Sequence, residues 1–313
     1  MKSAGDITVY CMVATPFDER ANLDLDAYRD LLDLMCQANV GVYLGSGGAG
    51  EGHALTVAEL AELYRVGVET CRGRVPVAAN PREARTATDM LALATEAARA
   101  GVDLVQLYPL DAGHGMIPTA PEQERYYRFL LEQLDHPTAI SVHVSVGYVT
   151  PIPLLVNLAK EYRSIEAINV MGPPLDYFVA LSGALRDAGV SPKLYAGMHQ
   201  LLPTLYAGGS GCLAAEPNLV PRLSRAFADA IIGNDQDRAG DLLVWMTRLQ
   251  SLVSRWAPST ARWVKMGLKV LGLPGGNGII REPYVLPGTG ALAEMSAGFE
   301  ALGLSEREGS VSR

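Results

Sequence analysis

The chain has 313 residues, 49% of them hydrophobic and 19% charged, which is enough apolar material for a large core and too much for a disordered chain. A net charge of −8 and a pI near 5.2, with no cluster of Lys or Arg on one helix face, exclude the basic footprint that nucleic acid requires. No uninterrupted apolar run approaches the ~18 residues that span a bilayer, and the opening Met1 to Asp6 lacks the apolar core of a signal peptide, so a cytoplasmic protein with no membrane partner is expected.

Taken in chain order, short β-branched runs predict strands near 7–14, 40–46, 75–80, 103–109, 138–145, 165–172, 193–197 and 211–215. Each is followed by helical spacing. After Asp24, a candidate N-cap, Leu25, Tyr28, Leu31, Leu32 and Met35 recur at three- and four-residue intervals. Near-continuous apolar strands alternating with helices indicate an α/β fold with a parallel sheet, and eight repeats predict a (β/α)8 TIM barrel over 1–232. Helical stretches near 237–256, 258–271 and 290–303, broken by Gly/Pro-rich turns, predict a C-terminal helical extension over 233–304. Residues 305–313 are polar and apolar-poor and are expected to form a disordered tail. Cys11, Cys36, Cys71 and Cys212 are scattered without a C-x-x-C pair and are expected as buried free thiols.

Six segments in order carry a family resemblance. They are Val13-Ala-Thr-Pro-Phe17, Gly47-Gly-Ala-Gly-Glu51 with Leu55, Thr56 and Glu59, Gly73-Arg-Val-Pro-Val77, Ala207 to Ala215 with Asn218 and Pro221, Val264-Lys265 to Leu273, and Arg281-Glu-Pro283. Together they resemble the dihydrodipicolinate synthase and N-acetylneuraminate lyase family of class I aldolases, over nearly the whole chain. The resemblance implies a small-molecule substrate, a homo-oligomer (tetramer or dimer), a Schiff-base lysine on strand six, a proton-shuttling tyrosine on strand five and a Thr-Thr loop for a carboxylate. All three positions depart here. Asn169 falls at the lysine, Gly48 and Ala49 replace the threonines, and His143 falls at the tyrosine, or Val142 if the register slips by one.

An asparagine side chain has no amine and forms no imine, so its chemistry is hydrogen bonding. None of the five lysines is placed to substitute for it unless a C-terminal helix folds over the barrel mouth. Barrel active sites lie at the C-terminal strand ends, where His53, His114, His143 and His199 map with Glu51, Tyr108, Asp111, Tyr148 and Glu216, while His136 maps to the opposite end.

His143 is expected as the general acid/base, against the plainer alternative of a hydrogen-bonded barrel histidine. Asn169, Tyr108 and Ser46 are expected to position or polarise a carbonyl. Gly47, Gly48 and Ala49 would offer backbone N–H groups, with Tyr148, His199 and Glu216 completing the binding set. Glu51 is expected to be structural. His143, His199 and Glu216 also form an alternative ligand set for zinc or iron, although no short motif joins them and no cofactor is expected. The expected function is a lyase-like reaction without an imine, either aldol cleavage or addition or hydration/dehydration. The competing function is an inactive ligand-binding or regulatory member.

Overall fold

The computed structural model describes residues 7–256 and 260–311, so the expectation for residues 1–6 lies outside the described residues. The first half of the chain alternates β1 (Thr8–Met12), α1 (Leu25–Gln37), β2 (Gly41–Leu44), α2 (Val57–Cys71), β3 (Val77–Ala79), α3 (Ala87–Ala100), β4 (Leu104–Leu107) and α4 (Ala120–Gln133). The pattern continues with β5 (Thr138–His143), α5 (Ile152–Glu161), β6 (Ile165–Met171), α6 (Leu175–Asp187), β7 (Lys193–Ala196), α7 (Leu201–Tyr206), β8 (Gly211–Ala214) and α8 (Pro221–Ile232). Each strand pairs in parallel with the next, and β8 returns to β1 from Thr8↔Gly211 to Cys11↔Ala214, closing the (β/α)8 barrel.

Local chemistry starts the helices where the sequence signals them. Asp24 accepts a hydrogen bond from the Ala27 N–H at 3.0 Å, and Thr56 with Glu59 forms a reciprocal capping box.

The pleat sends alternate residues to opposite faces of the closed sheet. Val9, Cys11, Val42, Leu44, Ile140, Val142, Ile168 and Val170 join the main core with the helices. Tyr10, Tyr43, Ala78, Leu104, Ala139, Ala167, Tyr195 and Leu213 fill the barrel interior, where Tyr10 makes edge contacts with Tyr43 at 4.9 Å and Tyr195 at 5.4 Å. Two residues further along their strands, the inward positions become polar: Asn80, Gln106, Ser141 and Asn169. Two further still they are Tyr108, His143 and Met171, at the mouth. The pairing Ser141↔Asn169 and His143↔Met171 places Val142 on the outer face, so His143 is the inward residue at the end of β5.

Beyond Ile232 come α9 (Gln236–Val253), α10 (Thr260–Leu271), α11 (Thr289–Ala301) and α12 (Leu304–Ser310). The start predicted for α10 at 258 falls on residues outside the description. The expected disordered tail is instead largely α12. Leu304 is buried, and the Glu308 carboxylate accepts the Arg222 and Leu223 N–H groups at 2.8 and 2.9 Å, capping the start of α8. A short polar helix of this kind holds through tertiary contacts that composition alone does not register.

Candidate active site

A cavity of about 510 Å³ opens at the C-terminal ends of the strands. Met12, Gln106, Tyr108, His143, Met171 and Leu213 form its base. Gly47, Gly48, Glu51 and His53 come from the loop after β2, and Glu83 from the loop after β3. Thr260, Ala261 and Arg262 at the start of α10, with Ile280 and Tyr284, close the remaining side. A second hollow of about 680 Å³ adjoins it and shares His53, Glu83 and Ser145.

Beneath the base lies a neutral hydrogen-bonded floor. Asn169 Nδ2 donates to Gln106 Oε1 and, at 3.0 Å, to the Tyr43 hydroxyl, while Gln106 Nε2 donates to Asn80 Oδ1 at 2.5 Å. Both amide hydrogens of Asn169 are therefore engaged within the protein, and its side chain is fully buried below the cavity lining. Asn169 Oδ1, Asn80 Nδ2 and Ser141 Oγ have no hydrogen-bond partner among the described residues. The expectation that Asn169 itself polarises a substrate is corrected accordingly: it orders Gln106, and Gln106 reaches the cavity.

His143 is half-buried, with its ring 5.9 Å from that of Tyr108. Its Nδ1 accepts the Ser145 backbone N–H at 3.1 Å, with the Ser145 hydroxyl 2.6 Å away. A backbone N–H can only donate, so the neutral ring carries its proton on Nε2. Burial lowers the His143 pKa below the usual histidine value, opposed by the Glu83 carboxylate, and this favours the neutral ring. The nitrogen left for the cavity is thus a hydrogen-bond donor, where the sequence alone suggested a two-way proton shuttle. Burial also raises the Tyr108 phenol well above its ordinary range, with Glu83 adding to the effect, so Tyr108 too is a neutral O–H.

The C-terminal extension completes the mouth. Lys265 and Glu51 are each about 1% exposed and form an ion pair at 2.5 Å; no other donor among the described residues reaches the Glu51 carboxylate. Lys265 also donates to the Ile279 carbonyl at 2.6 Å and lies 4.1 Å from the centre of the Phe17 ring. A helix from the extension does fold over the barrel, but it delivers a lysine that is already occupied and absent from the cavity lining. The Glu51 backbone has φ +52°, an uncommon conformation for a residue with a side chain, and the ion pair holds it there. Arg262 is half-buried, lines the cavity and lies 5.9 Å from the Tyr284 ring centre; no carboxylate among the described residues pairs with it. Arg281 fastens the Tyr284 loop to the barrel through Glu59 and the carbonyls of Ala21 and Ala54.

Of the residues expected at the catalytic end, Gly47, Gly48, Glu51, His53, Tyr108 and His143 meet in the cavity, and Ser46, Ala49, Asp111, His114, Tyr148, Asn169, His199 and Glu216 do not. Ser46 and Ala49 are fully buried behind the loop, where Ser46 Oγ accepts the Gly50 N–H at 2.9 Å and shapes the turn. The Tyr148 hydroxyl donates to the Leu110 carbonyl at 3.0 Å, away from the cavity. His199 is exposed, and Glu216 is buried outside the cavity, accepting the Ala215 N–H. His143, His199 and Glu216 are not gathered, and no group of three or more His, Cys, Asp or Glu with metal-binding geometry occurs among the described residues. Glu83, Gln106, Arg262 and Tyr284 were missed. Glu83 follows the end of β3 and Gln106 is an inward position of β4, both readable from their place along the chain, whereas nothing local marks Arg262 or Tyr284, which only the folded extension brings to the mouth.

The closed parallel barrel with its cavity at the strand ends is the architecture of a (β/α)8 barrel with a mouth site. The dihydrodipicolinate synthetase family model matches residues 7–297, and the chain belongs to that family. A 4-hydroxy-tetrahydrodipicolinate synthase of Exiguobacterium sibiricum is 27% identical over 82% of this chain and 87% of its own length. A Bradyrhizobium protein named "Probable 5-dehydro-4-deoxyglucarate dehydratase" is 24% identical over 92% of this chain and 90% of its own. Among solved structures, a prophage protein of the dihydrodipicolinic acid synthase family from E. coli, in complex with pyruvate, superposes with a TM-score of 0.87 at 18% identity, covering 95% of this chain and 99% of its own.

Proposed function

We propose that this protein is a lyase acting on a small 2-oxo or hydroxy acid, by aldol cleavage or addition or by hydration/dehydration, without a Schiff base. Its relatives include proteins named as a synthase and a dehydratase, which supports the reaction class. The observation that carries the reading is a cavity whose lining holds the neutral donors Tyr108 and His143 and no lysine, with Asn169 at the position where the family resemblance expects the lysine. Without an iminium, the electron pair released at the substrate's α-carbon is delocalised onto its carbonyl oxygen. The His143 Nε2–H and the Tyr108 O–H are the groups suited to hold that developing oxyanion, with Gln106 beside them. Arg262 supplies a cation for the substrate carboxylate in place of the missing threonine hydroxyls. A homo-oligomer, expected from the family resemblance, and a cytoplasmic setting, expected from the sequence, accompany the reading.

A binding member that has lost the chemistry is the second reading, favoured by a floor that engages both amide hydrogens of Asn169 within the protein. A panel of 2-oxo acids and aldehydes, run with and without borohydride, tests both. The expected result is turnover on some member and no covalent adduct with pyruvate. A borohydride-trapped lysine, located by mass spectrometry, would overturn the imine-free mechanism, and binding of panel members without turnover of any would favour the second reading.

A further inference from the structure

We infer that Glu83, from the loop after β3, is the general base of this site, taking a proton from the substrate while His143 and Tyr108 hold the oxygen. The inference rests on the lyase reading above and supplies the group that reading lacks.

Most of the other groups at the mouth are unsuited to take a proton. His143 presents Nε2–H to the cavity because Ser145 occupies Nδ1, so the neutral ring has no lone pair to offer a substrate proton. The neutral phenol of Tyr108 is a donor. Glu51 is bound to Lys265 and buried with it. His53 donates its Nδ1–H to the Gly47 carbonyl at 3.1 Å and packs edge-on against Tyr284 at 5.6 Å; its Nε2 keeps a lone pair, which makes it the rival base, but the ring sits on the exposed outer rim. Glu83 is better placed: it is half-buried, lines both the mouth cavity and the adjoining hollow, and has no cation paired to it among the described residues.

Its placement is specific. A Cβ on Gly47 would lie 2.8 Å from Glu83 Oε2, so the carboxylate rests directly against the glycine loop and a side chain at 47 would push it aside. Glu83 is also near enough to act on the titration of both His143 and Tyr108. A carboxylate base facing a neutral imidazole donor is an established division of labour for forming enolates.

The substrate of the step is a 2-oxo acid. Glu83 removes a proton from the carbon next to the carbonyl and becomes a carboxylic acid. The C–H electron pair becomes the new C=C bond, and the carbonyl π pair moves to oxygen, where the His143 N–H and Tyr108 O–H hold it. Return of the proton from Glu83 restores the ketone. In D2O the proton held by Glu83 exchanges with solvent, so the cycle replaces C–H by C–D with no other reactant.

That exchange is the test, with pyruvate, 2-oxobutanoate and 2-oxoglutarate as probes and loss of the C3 proton signal followed by NMR in D2O. The wild-type protein is expected to exchange at least one probe faster than buffer. Glu83→Gln should slow that exchange by ~10²-fold to 10⁴-fold with an unchanged melting temperature, and Glu83→Asp should retain part of it, whereas a loss of that size in His53→Gln and not in Glu83→Gln would overturn the assignment. Wild-type exchange that persists in folded Glu83→Gln would overturn the assignment and leave the lyase reading standing with another base. No exchange by the wild type on any probe would count against both.

Discussion

At the scale of single residues, the nitrogen that His143 shows to the cavity decides its chemistry. Ser145 holds Nδ1 as an acceptor and burial keeps the ring neutral, so His143 should act as a donor that strengthens as charge develops on oxygen. Removing one such donor typically costs ~10²-fold to 10³-fold in turnover, and His143→Ala should fall in that range. His143→Gln keeps an N–H without an exchangeable ring proton and should recover a substantial part of the loss. Steady-state kinetics on the substrate found in the panel would check this, and a Gln variant as inactive as the Ala variant would return His143 to the proton-shuttle role its position in the sequence suggested.

At the scale of elements, α10 does two separable jobs. Lys265 neutralises Glu51 inside the protein, and Arg262, one turn earlier, faces the cavity. Removing one partner of a buried pair strands a charge at a cost of ~3–5 kcal/mol, whereas replacing both is often close to neutral. Lys265→Met should therefore lower the melting temperature markedly, and Glu51→Gln/Lys265→Met should restore much of it. Arg262→Gln should leave the melting temperature almost unchanged and raise KM for carboxylate substrates by about tenfold or more, the size of a lost charge-assisted hydrogen bond. Thermal melts alongside kinetics separate the two. A large melting shift in Arg262→Gln would mean that its role is structural.

At the scale of the whole molecule, the extension is fastened to the barrel by the Arg281–Glu59 pair, which is only partly exposed. The hydrogen bonds from Arg281, reinforced by those of Thr56, hold the Glu59 carboxyl down to about 2 from an ordinary value of 4.5. A depressed acid contributes stability that is present above its unfolded value and disappears as the pH falls through the folded one. The contribution should be about 1–2 kcal/mol after solvent screening, lost between pH 4.5 and 2. Melting temperatures of the wild type and Glu59→Gln should therefore converge on acidification across that window. A gap that stays constant with pH would show that the pair contributes only geometry.

The periodicities of the chain by themselves determined the barrel. Eight apolar runs and their helices are local patterns, and closure is the arrangement that buries all of them on both faces. The sequence also marked Asn169, His143 and the glycine loop, because each lies at a strand end readable from its own neighbours. Tertiary structure alone decided how they are used. That Asn169 serves the floor, that Ser145 fixes the tautomer of His143, and that Tyr148, His199 and Glu216 stay out of the cavity depend on where side chains point once the sheet curls. Arg262 and Tyr284 are more than a hundred residues from His143 in sequence and share no periodic pattern with it. They share a cavity because the first turn of α10 and the segment after that helix pack against the open end of the barrel, where a buried ion pair offsets the cost of enclosing Glu51.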